Sequence, residues 1–298
     1  MLTQEKVFYG PHTFGNPAIY LRGNLDSSVL QAHENIKKTL TSAFCDVGFI
    51  EQLSRVPGFN RDTFFPVQLD FINYGNTQMV YKCRPANGQP LTILINQPQQ
   101  ELGVVKAEFE NLQRLSQIDP RFVIPTLAYF GNESNELYVS SYVKDARCIY
   151  HNDYPFAWGN FNPIPGYHFE RFSSEIEPAI TSSMIALLVN YYDSEKQKGI
   201  AKTQISGDDF ILSQEFQPDN TYSILPNIKL IAARGFVEAS FQEYLDLLSQ
   251  EFLFATHYND REVREGRFKI NHKSGAALTK EEIEKGIERG LELRVRRE

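Results

Sequence analysis

The sequence predicts an α+β protein: a small antiparallel sheet carrying one helix, followed by a mainly helical part. Three observations predict it. Between residues 66 and 100 apolar and polar residues alternate, as they do along half-buried strands. Asn87-Gly88 lies between two of these runs, and both residue types tolerate the positive φ of a two-residue hairpin turn. From residue 102 the apolar spacing changes to three and four, first over 102–116 and again over 175–198, which is one face of a helix.

Taken in order, residues 1–65 form an N-terminal extension that starts loop-rich, with Tyr9-Gly-Pro-His and Phe14-Gly-Asn-Pro as punctuation. A helix is expected over 27–44, where Leu30, His33, Ile36, Leu40 and Phe44 share a face. Residues 66–145 hold the sheet. Val67, Leu69 and Phe71 make one strand, Met79, Tyr81 and Cys83 a second, and 91–95 a central third. The helix over 102–116 places Val105, Phe109, Leu112 and Leu115 together, with Ala107, Glu108 and Gln113 as good helix formers. Two more strands follow, over 123–130 and 137–143, so the order reads β-β-β-α-β-β.

Residues 146–298 begin with an aromatic-rich stretch, 150–172, that includes Trp158 and is broken by Asn, Gly and Pro. It is expected to be irregular: an ordered lid or partner surface, or an aromatic-anchored connection. A long helix over 175–198 carries Ile180, Met184, Leu187, Leu188 and Tyr191 and is read as stopping at Gly199. Two strand-like segments, a helix over 240–254 and a terminal helix complete the chain. Thr279-Lys-Glu-Glu282 is a capping box for the last of these, with glutamates early and arginines late along the helix dipole.

Bulk properties narrow the function. The 298 residues are 42% hydrophobic and 13% aromatic, an ordinary globular composition long enough for a sizeable core. A net charge of −7 gives no footprint for nucleic acid or an anionic membrane. No apolar run approaches the ~20 residues of a membrane span, and no secretory leader opens the chain. Cys45, Cys83 and Cys148 are odd in number and far apart, which fits reduced thiols in a cytoplasmic protein.

Five segments carry a resemblance. They are Tyr74-Gly-Asn-Thr-Gln-Met-Val-Tyr-Lys82, Lys106-Ala-Glu-Phe-Glu-Asn-Leu-Gln-Arg-Leu115, Asn135-Glu-Leu-Tyr-Val-Ser-Ser-Tyr-Val143, Gly199-Ile-Ala-Lys-Thr-Gln-Ile-Ser-Gly-Asp-Asp-Phe-Ile-Leu212 and Ile228-Lys-Leu-Ile-Ala-Ala-Arg-Gly-Phe236. In this order, residues 66–255 resemble the protein-kinase-like fold, in the branch of aminoglycoside phosphotransferases and related small-molecule kinases. The resemblance implies two lobes, 66–145 as the sheet-bearing N-lobe and 146–298 as the helical C-lobe.

Phosphoryl transfer needs a lysine on the phosphates, a glutamate to orient it, carboxylates for magnesium and a carboxylate near the acceptor. Carried onto this chain, the lysine position falls on Asn96 and the glutamate on Glu108. The catalytic aspartate falls on Gln204, and the metal-binding asparagine on Asp209 with Asp208 beside it. The last metal aspartate falls on Ala232 or Ala233. Gly75, Asn76 and Thr77 read either as a plain hairpin turn or as a remnant nucleotide cradle. Asp208-Asp209 reads either as a solvated turn or as a relocated metal site.

Two functions therefore stand at this stage. One is a pseudokinase-like binding or regulatory scaffold that needs no cofactor and meets a protein or small-molecule partner. The other is a divergent phosphotransferase or nucleotidyltransferase using ATP and magnesium through Asp208, Asp209 and Glu108. A generic α+β domain is the third possibility. His151, Asp153, His168 and Glu170 offer metal-ligand atoms at a spacing that matches no metal motif. Cys148 lies near His151 without an identifiable orienting group. No Gly-x-Ser-x-Gly, Cys-x-x-Cys, His-Glu-x-x-His or Walker-type loop occurs.

Overall fold

A computed structural model of the chain describes residues 3–8, 18–23, 38–64, 66–74, 78–96, 101–143, 147–149, 168–170, 177–200, 209–212, 224–249 and 280–297. The chain divides into two compact units. The first comprises Met1–Gln113, Ile124–Val143 and Asn160–Tyr167, and the second Arg114–Val123, Lys144–Gly159 and His168–Glu298.

The N-terminal extension departs from its loop-rich expectation. Strands β1 (Thr3–Phe8) and β2 (Ala18–Gly23) form an antiparallel pair, with Thr3 opposite Gly23 and Phe8 opposite Ala18. An isolated pair of this length is marginal; here β2 also runs parallel to β3 (Val67–Tyr74), which gives the pair a third neighbour. The Gly and Pro signals between them mark the connection and not the strands. Residues 38–45 form helix α1, the described end of the helix expected over 27–44. Helix α2 (Val47–Ser54) starts where the Asp46 carboxylate accepts the Phe49 amide at 2.7 Å, and a short α3 (Arg61–Phe64) follows.

The remaining sheet strands are β4 (Gln78–Pro85), β5 (Leu91–Asn96), β6 (Thr126–Gly131) and β7 (Glu136–Ser141), with helix α4 (Val104–Ile118) between β5 and β6. The lateral order is β1-β2-β3-β4-β5-β7-β6. β3 to β7 make a five-stranded antiparallel sheet, as the β-β-β-α-β-β pattern predicts.

Register explains the core. Tyr81, Ile93 and Val139 face one side in one row, and Leu69, Cys83 and Leu91 in the next. Leu40 and Phe44 of α1, Phe49, Ile50 and Leu53 of α2, and Phe64 cover that side as one buried cluster. Phe49 meets Phe130 edge-on at 6.2 Å, and the Gln52 amide bonds both the N–H and the carbonyl of Tyr129, fastening α2 to β6. Cys83 is fully buried here; burial, then the nearby Asp70 charge, pushes its thiol far up. Cys45, by contrast, is half-exposed. The opposite side of the sheet carries Tyr129 and Tyr138, paired across β6 and β7, and α4 lies on them through Phe109, 5.6 and 6.0 Å from the two rings.

The second unit is built on helix α5 (Glu177–Asn190), buried on all sides from Ser182 onward. α5 ends at Asn190, not at Lys198, because Asp193 and Lys198 exchange backbone hydrogen bonds and Gln197 turns through a φ of 50°. Gly199 is therefore no helix stop. It lies in β10 (Lys198–Ile200), which pairs antiparallel with β13 (Phe236–Glu238). A second sheet has the order β12 (Ile228–Leu230), β11 (Phe210–Leu212), β8 (Arg147–Ile149) and β9 (His168–Glu170). β9 corrects part of the irregular expectation for 150–172, because 168–170 gains regular structure by pairing parallel with β8. The rest of that stretch lies outside the described residues. Short helix α6 (Ile224–Asn227), helix α7 (residues 241–249) and helix α8 (Lys280–Arg297) complete the unit. Among the described residues no helix is long and apolar enough to cross a membrane.

Candidate functional site

The candidate residues divide with the two units. Asn96 and Glu108 belong to the first, and Asp209, Ala232 and Ala233 to the second. Gly75, Asn76, Thr77, Gln204 and Asp208 lie outside the described residues, as do His151 and Asp153.

Asn96 ends β5 opposite Gln78 and is 4% exposed. Its Oδ1 accepts the Glu136 amide at 2.7 Å, extending the β5–β7 ladder by one side-chain bond beyond the Ile95–Leu137 pair. The Glu136 carboxylate accepts from the Gly103 amide at 2.8 Å, just ahead of α4, and from the Tyr129 hydroxyl at 2.7 Å. A carboxylate at a helix N-terminus complements the positive end of the helix dipole, so this cluster favours α4 beginning here. Burial, then the hydrogen bond and charge of Glu136, pushes the Tyr129 hydroxyl well above its ordinary range.

One turn into α4, Glu108 is fully buried and accepts the Tyr138 hydroxyl at 2.7 Å. Phe109 beside it closes over Tyr138. The glutamate that a kinase site would aim at a lysine is thus held from β7 by a neutral hydroxyl. Lys82, on the second strand of the five, donates to the Tyr142 hydroxyl at 2.9 Å and lies 4.0 Å from that ring's centre.

In the second unit β11 and β12 pair Phe210 with Leu230 and Leu212 with Ile228, which brings Asp209 beside the residues that follow β12. The Ile231 amide donates to the Asp209 carbonyl at 2.8 Å. The Asp209 side chain is almost fully buried, and Arg234 clasps it by two contacts: Nη2 to Oδ1 at 2.7 Å and Nη1 to Oδ2 at 2.9 Å. That is the bidentate fork in which arginine binds carboxylate most strongly. Ala232 and Ala233 are buried between the two partners in sequence and bring no side-chain oxygen.

Magnesium asks for several oxygen ligands in near-octahedral geometry. At Asp209 both carboxylate oxygens face a guanidinium, and the two following candidate positions are methyl groups, so the described donor set does not fit the ion. Among the described residues no group of three or more His, Cys, Asp or Glu could hold a metal. The backbone of His168 and Glu170 lies in β9.

Sequence reasoning missed Arg234 and Tyr138. Arg234 gave no signal, since the acid it pairs with lies 25 residues earlier in the chain. Tyr138 gave none, since an aromatic in a buried strand reads as core. Compared with known proteins, the chain matches no family model and no curated protein.

Proposed function

We propose that this chain is a two-lobed, kinase-like module whose phosphoryl-transfer chemistry is lost and which works by binding, as a regulatory scaffold for a protein or small-molecule partner in the cytoplasm. The observation that carries this reading is the buried Asp209–Arg234 pair. Asp209, the described acid that falls on an expected metal-ligand position, is already paired with an internal cation. Glu108, held by Tyr138, and Asn96, held to the Glu136 amide, support the same conclusion. At these three positions the side chain meets a side chain or backbone group of the protein.

Two features of the fold support the kinase-like part. Five antiparallel strands with a helix between the third and fourth follow the order that the resemblance implies for a small lobe. In the second unit a long helix leads into β10, and the two strand-like segments pair with each other through β10–β13 and β11–β12.

Thermal melting with millimolar ATP, alone and with magnesium or manganese, tests the proposal. The expected result is a melting temperature that moves by less than about 1 °C, since a ligand that does not bind the native state cannot stabilise it. A rise of several degrees that requires the metal would overturn it in favour of a divergent ATP-dependent phosphotransferase or nucleotidyltransferase.

A further inference from the structure

Tyr81, Ile93 and Val139 point into the core of the first unit, so the residues next to them on each strand point to the other side of the sheet. There Asp70, Lys82, Thr92 and Ser140 stand side by side across β3, β4, β5 and β7. We infer that this row binds the carboxylate of a small organic acid, with Lys82 as its cation and the Thr92, Ser140 and Tyr142 hydroxyls as hydrogen-bond donors. The inference rests on the binding role proposed above and names the chemistry of the partner.

Three observations carry it. Thr92 and Ser140 are 7% and 2% exposed, yet among the described residues neither hydroxyl has a hydrogen-bond partner, although buried hydroxyls are ordinarily bonded. The Lys82 ammonium donates once, to the Tyr142 hydroxyl at 2.9 Å, and forms no ion pair with a described carboxylate. An ammonium has three donors, so two remain. Asp70, beside it in the row, is fully buried and already held by Arg84 and by the Gln68 amide at 3.0 Å. Third, Arg84 Nε, two residues along the same strand face, is buried with no acceptor. All of these groups can donate, and what the row lacks is an acceptor. Its charge says which: Lys82 and Arg84 against Asp70 leave one positive charge, the complement of a carboxylate. The second charge of a phosphate would have no cation and would face Asp70. Lys82 and Tyr142 are half-buried, so a ligand reaches the row from their side.

The test melts the full-length protein near neutral pH in decimolar sodium acetate, lactate or benzoate, beside sodium chloride and sodium phosphate at matched ionic strength. At least one carboxylate should raise the melting temperature above its value in chloride by about 3 °C, the scale expected for a ligand at roughly ten times its dissociation constant. Phosphate should do no more than chloride. Lys82→Met should lose the rise, and Thr92→Val/Ser140→Ala should lose most of it. Lys106→Met, which alters an exposed lysine of α4, should keep it. No rise with any of the three acids overturns the inference, as does a rise that survives Lys82→Met or a larger rise with phosphate. Should Lys82→Met fail to fold, Thr92→Val/Ser140→Ala decides in its place, and a rise it keeps in full overturns the inference. A metal-dependent ATP response of the unaltered protein would instead strike at the proposed function, so the two failures are distinguishable.

Discussion

At the scale of a residue, Gly199 shows how tightly the second unit is built. A methyl group there would lie 2.2 Å from a ring carbon of Tyr244. The ring cannot move aside cheaply. It stacks on Tyr192 with centres 5.2 Å apart, and its hydroxyl donates to the Ile200 carbonyl at 3.0 Å. Gly199→Ala is therefore expected to cost about 1–3 kcal/mol, the usual range for overpacking a filled core. Urea unfolding measures it; a variant as stable as the parent would mean the strand and ring separate easily. In the sequence this glycine reads as a helix stop, because a glycine after an apolar stripe signals one whether or not a ring sits above it. Asn96 and Arg234 were illegible for a related reason. Their roles come from groups far away in the chain, Glu136 on β7 and Asp209 just before β11, and spacing along the chain does not carry that information.

At the scale of an element, α8 is defined by what it does to α5. Gly286 and Gly290 face the α5 backbone so closely that a Cβ on Gly290 would come within 2.8 Å of the Ala186 carbonyl and 2.5 Å of Val189 Cβ. Beyond them Arg294 donates to the Tyr192 carbonyl at 2.6 Å and to Ser194 Oγ at 2.5 Å, while Arg297 donates to the Asn190 carbonyl at 2.7 Å. These acceptors lie at and just past the end of α5, where carbonyls lack intrahelical partners. Two effects compete in Gly290→Ala: a gain of about 1 kcal/mol in helix propensity and a larger loss from the clash, about 1–3 kcal/mol or more. The clash should win. Thermal unfolding followed by helical circular dichroism should show a lower midpoint, and a raised midpoint would refute the close crossing. The terminal helix itself was legible from its periodicity and charge order, although Thr279 of the capping box lies outside the described residues. Its partner was not legible, because two glycines four apart read as weak helix and not as a crossing point.

At the scale of the whole molecule, the order β-β-β-α-β-β was legible because alternation and hairpin chemistry are local. The N-terminal pair was not, because β2 gains its place from a parallel neighbour far along the chain, with three described helices between. Stability against acid is another property of this scale, and the second unit carries it. Burial alone would push the Asp119 carboxyl up, but hydrogen bonds from the Arg121 side chain and backbone and from Asn190 outweigh it and hold it below its ordinary 3.8. Asp193 is lowered in the same way, with Arg114 and the Lys196 amide overcoming burial. A carboxyl depressed in the folded state adds stability above its unfolded value and loses it as the pH falls through the folded one. The melting temperature should thus hold from neutral pH to about 4 and fall below it. Asp119→Asn should start lower and show a shallower fall, and a parent midpoint unchanged down to pH 3 would contradict these pairings.

The position of Cys83 has a practical corollary. Its thiol lies inside the stack between Leu69 and Leu91, and burial keeps it protonated. Alkylating reagents attack thiolates, so the sulfur becomes reactive only when neighbouring strands part. The protein thus carries a chemical clock at the middle of its sheet: the rate at which Cys83 is capped in native buffer counts the openings of that sheet, with no label added.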